Sequence, residues 1–351
     1  MVTYNSGFRS LLKTQGSTIK TFNYGHSRLS VAPMMDWTDR HCRYFHRLIT
    51  KNTLLYTEMV TTGALLHGNV PRHLDFDAAE HPVALQLGGS EPHDLAKSAV
   101  LGEQWGYNEI NLNCGCPSER VQRGAFGACL MAEPQLVADC VKAMRDAVQI
   151  PITVKHRIGI DKNESYNFVQ DFVGTVSLAG CNLFIVHARN AWLKGLSPKE
   201  NREIPPLRPE MVLQLKKDFP HLQFVINGGI TTHEQITHHL KDLDGVMIGR
   251  EAYHNPFIMH TWDGFYGEPA SQKTRETIED QMVIYMTHNA SHTHWYSIAR
   301  HMLGLWHAQP GARKWRQVWS NHELKHLSAI EVQKMATGAR QSARFESTHA
   351  H

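Results

Sequence analysis

From residue 29 to about residue 250 the chain repeats one unit, a short run of strand type followed by a helix-compatible segment. Eight such runs recur, at 29–33, 53–57, 83–87, 109–113, 151–155, 183–187, 223–227 and 244–248. That repetition constrains the fold more than any other feature. Strands separated by helices pair in parallel and bury both faces of their sheet, so they read as apolar runs rather than alternating ones. Eight units over roughly 230 residues predict an α/β fold, a (β/α)8 TIM barrel. The rival is an open doubly wound sheet, which would place a GxGxxG turn after its first strand. Here that turn is Pro33-Met-Met-Asp36, which has no glycine.

Helices are predicted over 39–50, with Thr38 or Asp39 as N-cap, and over 92–105, with Pro92 in the first turn. Others are predicted over 134–148, over 167–178 and from Thr232 onward. The pattern changes after Tyr266. Residues 267–271, with Pro269, read as a linker, and 273–290, 294–305 and 324–337 read as helices with no strand among them. The predicted organisation is an extension at 1–28, a barrel at 29–266, a C-terminal helical domain at 271–340 and a disordered tail at 341–351.

The 351 residues suffice for one large or two medium domains. Lys and Arg number 36 and Asp and Glu 33, a net charge of +3, so any nucleic-acid surface has to be a local patch. The 24 His are scattered, with no His-x-x-x-His beside a carboxylate, and no metal site is expected. Six Cys in a long chain without a secretory leader predict free thiols in a reducing cytoplasm. No run approaches the ~20 apolar residues that span a bilayer, so no membrane partner is expected. The first 35 residues hold no Asp or Glu but carry Arg9, Lys13, Lys20 and Arg28. That is a weak likeness to a transit peptide, and a loosely packed extension is the preferred reading.

In a barrel of this kind the active site lies at the C-terminal ends of the strands. The fourth run stops at a tight turn that presents Cys116 ahead of Pro117, and Gly124-Ala-Phe-Gly-Ala128 follows. A free cysteine is ordinarily a small buried apolar residue. Cys116 lies after the strand, however, and Pro117 bars the turn from continuing as sheet, which favours a reactive thiol at the rim. Other strand ends are polar too. Pro33, Met34 and Met35 follow the first strand, Gln86 closes the third and Asn113 the fourth. Lys155 closes the fifth, with Arg157 two further on, and His187 closes the sixth. Asn227, Gly228 and Gly229 end the seventh, and Gly249 with Arg250 the eighth.

Each has a structural alternative: Lys155 as a surface lysine, His187 as a hydrogen-bonded core residue, Gln86 as a cap. Together they converge on one mouth. Main-chain N–H groups at the two glycine segments, near predicted helix starts, suit a phosphate. Gln86, Lys155 and Asn227 offer donors to a polar planar ring. A phosphate at one end and a ring at the other suit FMN, with Lys155 stabilising the anion on the N1/O2 side of a reduced flavin.

Seven segments together resemble the tRNA-dihydrouridine synthases. They are Ala32-Pro-Met-Met-Asp36, Gln86-Leu-Gly-Gly89, Asn111-Leu-Asn-Cys-Gly-Cys-Pro-Ser118, Val154-Lys-His-Arg157, Val186-His-Ala-Arg189, Asn227-Gly-Gly-Ile230 and Ile248-Gly-Arg250. The resemblance covers about residues 29–320, and the Cys-Pro-Ser segment with its glycine loop is its specific part. The segment from Lys194 to Leu207 is similar to the A subfamily, which reduces uridines 20 and 20a of the tRNA D-loop. Cys114 departs from the family, which more often has an aliphatic residue there. The resemblance implies an FMN barrel followed by a helical tRNA-binding domain, with NADPH reducing the flavin. It implies FMN binding by Pro33, Met34, Met35, Gln86, Lys155, His187, Asn227, Gly228, Gly229, Gly249 and Arg250, and Cys116 as proton donor. A monomer in the cytoplasm is expected.

On that reading hydride from N5 of reduced FMN adds at C6 of uracil, and the resulting enolate needs a proton at C5. A thiol with a pKa near ~8.5 is mostly protonated at neutral pH and fits a general acid. Asn113, Arg157 and His187 are candidates to hold the uracil carbonyls. The base must leave its stack to reach the mouth, so RNA must be gripped elsewhere. Arg300, Arg313, Lys314 and Arg316 lie in a stretch without acids, with Trp306, Trp315 and Trp319 interleaved either to stack on bases or to pack the helices. Lys199 and Arg202 reach toward the mouth from the loop after the sixth strand. The rivals are a flavin barrel acting on a small molecule, which would not need the basic helical part, and an RNA-binding scaffold, against which the polar strand ends argue.

Overall fold

The computed structural model describes residues 24–348; residues 1–23, with Arg9, Lys13 and Lys20, and 349–351 lie outside the described residues. Its centre is a closed parallel barrel in chain order. The strands are β1 (Leu29–Val31), β2 (Leu54–Thr61), β3 (Val83–Gly88), β4 (Glu109–Cys114), β5 (Ile152–Arg157), β6 (Leu183–His187), β7 (Gln223–Asn227) and β8 (Gly245–Ile248). β8 pairs back onto β1. β6 and β7 keep the predicted limits, whereas β2 runs past a bulge between Tyr56 and Met59 to Thr61.

The barrel has two cores, because successive residues of a strand face opposite ways. The outer core lies between strands and helices and takes Ile110, Leu112, Val154, Phe184, Val186 and Phe224. The inner core fills the lumen with Leu54, Tyr56, Ala84, Leu183, Ile185, Val225 and Met247. The expectation of uniformly apolar strands fails at β4. Glu109, Asn111 and Asn113 are buried on the lumen side, while Ile110, Leu112 and Cys114 join the outer core. Gln86 on β3 and Thr153 and Lys155 on β5 are their lateral neighbours. A sheet buried on both faces tolerates these polar groups because they bond one another.

Around the strands stand α1 (Arg40–Ile49), α2 (Thr62–His67), α3 (Val70–Leu74), α4 (Pro92–Gln104), α5 (Glu119–Arg123), α6 (Pro134–Ala147), α7 (Tyr166–Leu178), α8 (Pro209–Asp218), α9 (His233–His239) and α10 (Arg250–His254). Asp39 caps α1, accepting from His41 N and Cys42 N at 3.0 Å, and Thr232 caps α9. Proline opens α4, α6 and α8. At the bottom, Gly25–Arg28 form a short turn, Tyr24 packs on the inner core, and the Tyr266 hydroxyl bonds the Leu29 main chain. Residues 24–28 of the predicted extension are therefore part of the barrel.

Beyond Tyr266 the described residues form only helices and turns: α11 (Arg275–His288), α12 (Trp295–Ala299), α13 (Ala312–Trp319) and α14 (Ala329–Thr348), with a short 3-10 stretch before α14. α13 is not predicted from the sequence: it is eight residues long, and its apolar face, Ala312, Trp315, Val318 and Trp319, lies in a basic segment. The predicted tail at 341–351 is helical as far as Thr348; residues 341–348 contain no glycine or proline to stop α14. Trp306, Trp315 and Trp319 are buried and donate through Nε1 to Glu279 at 3.3, 2.8 and 3.1 Å. They pack the helices and are closed to stacking on bases. Tyr285 of α11 stacks on Tyr44 of α1 at 3.9 Å, and Asp39 pairs with Arg300 and His301 at 2.9 Å each, which seats the helical part on the barrel.

Candidate active site at the barrel mouth

Parallel register lines the mouth residues up in rows. Gln86 is opposite Asn111, Asn111 opposite Thr153, and Asn113 opposite Lys155. Arg157 is opposite His187, His187 opposite Asn227, and Asn227 opposite Met247, two residues before Gly249. At the seam, Ala32 N donates to Ile248 O at 2.8 Å. The Met34 sulfur stands 3.8 Å from where a side chain on Gly249 would begin, so Met34 borders the same mouth, while Met35 beside it is exposed.

The Cys116 turn is held from three sides. Asn113 Oδ1 accepts from Gly115 N and Cys116 N, each at 3.0 Å. Arg157 Nε donates to Gly115 O at 3.2 Å, and its Nη1 to Asn190 O and Asn201 O at 3.3 and 3.0 Å, which ties the turn to the loop between β6 and α8. Ala128 N donates to Cys116 O at 2.9 Å. Gly127 has φ of 80°, and a Cβ there would lie 2.6 Å from Cys116 O, so glycine is required for the loop to close. Cys114 is fully buried in the outer core, whereas Cys116 is partly exposed. The two thiols have different surroundings, Cys114 among other buried cysteines and Cys116 near Arg157, Lys155 and Arg202. Burial pushes the Cys116 thiol up in pKa, against a Ser118 main-chain bond and the charges of Arg157, Lys155 and Arg202.

Positive charge gathers opposite the thiol. Lys155 Nζ donates to Asn227 Oδ1 at 3.1 Å and has no carboxylate partner among the described residues. Burial, then Arg157, brings its pKa down to about 7. Burial, then Arg157 and Lys155, pushes His187 well below its ordinary value, so the ring is neutral. Arg250 pairs with Glu203 at 2.6 Å. Lys155 and Arg157 have no carboxylate at ion-pair distance among the described residues, so the site accepts an anion, and an amine beside an amide row accepts a polar ring. The donor set therefore fits a flavin phosphate and its ring. Gly228 and Gly229 have φ of 117° and 71°, and a Cβ on them would meet His187 at 2.8 Å and Leu207 at 2.4 Å. The pair stands ahead of the helix predicted from Thr232: Thr232 caps α9, and the glycines form a positive-φ bend before it.

Residues 30–340 match the dihydrouridine synthase family. This chain belongs to that family. It is 58% identical over 312 residues to the tRNA-dihydrouridine(20/20a) synthase of Vibrio vulnificus (strain CMCP6), covering 88% of this chain and 95% of that one. It is 55% identical over 331 residues to the protein of the same name from Escherichia coli (strain K12), covering 93% and 96%. A third such synthase, from Pseudomonas syringae pv. tomato (strain ATCC BAA-871 / DC3000), is 60% identical over 295 residues, covering 84% and 88%. Among solved structures, a 2-naphthoyl-CoA reductase complex superposes with a TM-score of 0.52 at 10% identity, covering 69% of this chain and 50% of that one, a likeness of fold alone.

Within this dihydrouridine synthase, the strand-end residues come together as rows, and Arg202 lies close enough for its charge to act on Cys116 and His187. Lys199 is exposed on the same loop. Arg313 and Arg316 are exposed on α13, in the helical part and not at the mouth. Sequence reasoning gives no role to Glu109, Asn111 or Thr153 in the lumen, nor to the buried loop residues Asn190 and Asn201. The period-two pattern Glu109-Ile-Asn-Leu-Asn113 carries the signal for the first two. Nothing local marks the others. Among the described residues no group of three or more His, Cys, Asp or Glu could hold a metal, and no helix is long and apolar enough to cross a membrane.

Proposed function

We propose that this synthase is a flavin-dependent oxidoreductase that converts uridine to 5,6-dihydrouridine in the D-loop of tRNA, at positions 20 and 20a, with FMN as cofactor and NADPH as electron donor. The observation that carries the assignment of roles is a thiol kept protonated by burial, Cys116, within reach of the charge of Lys155, an amine with no carboxylate partner among the described residues. Bound FMN supplies the hydride that adds to C6 of the uracil. Cys116 gives its proton to C5 and is restored from solvent; its raised pKa keeps the proton available until it is needed.

Lys155, Gln86, His187 and Asn227 hold the flavin ring, and Pro33, Met34 and Met35 border it. Gly228, Gly229, Gly249 and Arg250 receive its phosphate. Asn113 keeps one N–H, and Arg157 its Nη2, for the uracil carbonyls. The barrel at 29–266 does the chemistry, and the helical domain at 271–340 grips tRNA with Arg313 and Arg316, aided by Lys199 and Arg202. A cytoplasmic monomer fits, because one chain carries the whole set of mouth residues. The small-molecule and scaffold readings lose ground to relatives that all carry the tRNA-dihydrouridine(20/20a) synthase name.

The test is to incubate the FMN-loaded protein with unmodified tRNA and either NADPH or NADH, and map dihydrouridine by mass spectrometry. Product at 20 and 20a is expected; reduced flavin with no dihydrouridine anywhere would refute the assignment. Arg313→Ala with Arg316→Ala should lower the log–log salt slope of tRNA binding by about two units, one for each phosphate left without its arginine. An unchanged slope would move the tRNA grip off α13.

A further inference from the structure

A hydrogen-bonded line runs up the lumen from the start of β4 to the Cys116 turn. Tyr56 Oη and Thr153 Oγ1 each donate to Glu109 Oε1 at 2.6 Å. Asn111 Nδ2 donates to Thr153 Oγ1 at 2.8 Å, and Gln86 Nε2 to Asn111 Oδ1 at 2.8 Å. Asn113 Nδ2 donates to Gln86 Oε1 at 2.9 Å, and Cys116 N closes the line on Asn113 Oδ1 at 3.0 Å. These six side chains are all buried.

The Cys116 end fixes the direction of the line, and an ionised Glu109, which only accepts, agrees with it: Thr153 gives its proton to Glu109 and accepts from Asn111. Main-chain N–H groups only donate, so Asn113 turns its oxygen to the Cys116 turn and its nitrogen to Gln86. One orientation of the three amides satisfies both ends, and the bonds strengthen one another in the dry lumen. Amides do not hand protons along, so the line carries position and not protons.

We propose that Glu109, Thr153 and Asn111 are positioning residues for uridine reduction, locking the amides of Gln86 and Asn113 and, through Asn113, the turn that aims the Cys116 thiol. The inference rests on the reading of Cys116 as proton donor. A buried carboxylate is costly to keep where packing alone is needed, and burial holds that of Glu109 up at about 7. The lumen on the β6–β8 side is filled by Leu183, Ile185, Val225 and Met247 instead. That side of the lumen therefore closes largely with apolar residues, and the continuous polar line runs along β3, β4 and β5 to the Cys116 turn.

The experiment compares Thr153→Val, which keeps the shape and removes the hydroxyl, with Thr153→Ser, which restores it. On the FMN-loaded protein, T153V should lower kcat for uridine reduction about tenfold, the scale of a slightly misplaced catalytic group. KM for tRNA and the rate of flavin reduction by NADPH should stay within about twofold. T153S should recover most of kcat. Should T153V not fold, Glu109→Gln decides. It has the same shape, but its amide can face Thr153 and let the hydroxyl turn away, so kcat should fall several-fold with KM unchanged. A wild-type kcat in the folded variant overturns the proposal, as does an equal loss in kcat, tRNA affinity and flavin reduction. Wild type that makes no dihydrouridine overturns the functional reading together with it.

Discussion

Cys116→Ala is expected to bind FMN and accept electrons from NADPH as the parent does, yet to reduce uridine about 10²–10⁴-fold more slowly, the range for loss of a general acid. The separation of the two half-reactions is the informative part. Flavin reduction does not use the thiol, whereas the enolate left on the uracil cannot become product without a proton at C5. The turn should survive the substitution, because its bonds to Asn113, Arg157 and Ala128 are all main-chain ones at residues 115 and 116. Cys114→Ala should leave uridine reduction intact, since that thiol is sealed in the outer core. The pH profile follows from the same geometry. Burial raises the Cys116 pKa, so the thiol's own contribution to the profile should be level through neutrality, with a fall in kcat only in the alkaline range where it ionises. Rapid-mixing measurement of flavin oxidation by tRNA, with product counted by mass spectrometry, reads both effects. Full product formation by C116A would remove this thiol from the reaction.

Lys155→Met should separate stability from function. The amine has a folded pKa of about 7 against an ordinary 10.5, lowered first by burial and then by Arg157. Below pH 7 it is charged in both folded and unfolded chains, and the full penalty of burying the charge is present. Between pH 7 and 10.5 the folded chain holds it neutral while the unfolded chain still protonates it, so the penalty shrinks as pH rises. At about 1.4 kcal/mol per unit of displacement the ceiling is a few kcal/mol. Flavin-free K155M should therefore melt higher than the parent below neutrality, with the advantage fading toward pH 9. The same variant should retain FMN poorly and reduce uridine about 10²-fold more slowly, because the donor that faces developing negative charge is gone. Calorimetry of the flavin-free forms and turnover of the loaded ones give the two readings. If K155M kept its flavin and its rate, the amine would be a structural residue only.

How much of the molecule is legible in its sequence differs from element to element. The barrel is, because its evidence is local: a strand-length run and a helix-length segment, eight times over. The polar strand ends are, because in such a barrel chain position along a strand translates into height above the lumen floor. The glycine pair at 228 and 229 and the helix start at Thr232 are legible, whereas the positive φ of both glycines is shown only by the backbone. α13 escapes sequence reading because it spans only eight residues in a basic segment.

By itself the order of residues determined the strand count, the parallel closure, the family and the identity of the mouth residues, all of which depend on short-range period and spacing. Only the tertiary structure decided that three tryptophans gather on Glu279 and that Glu109 is joined through Thr153 to the line that ends at the Cys116 turn. Those outcomes depend on which side of a strand faces the lumen and on which distant residue arrives beside it. Register and closure set that, and neither is written in any single stretch of chain.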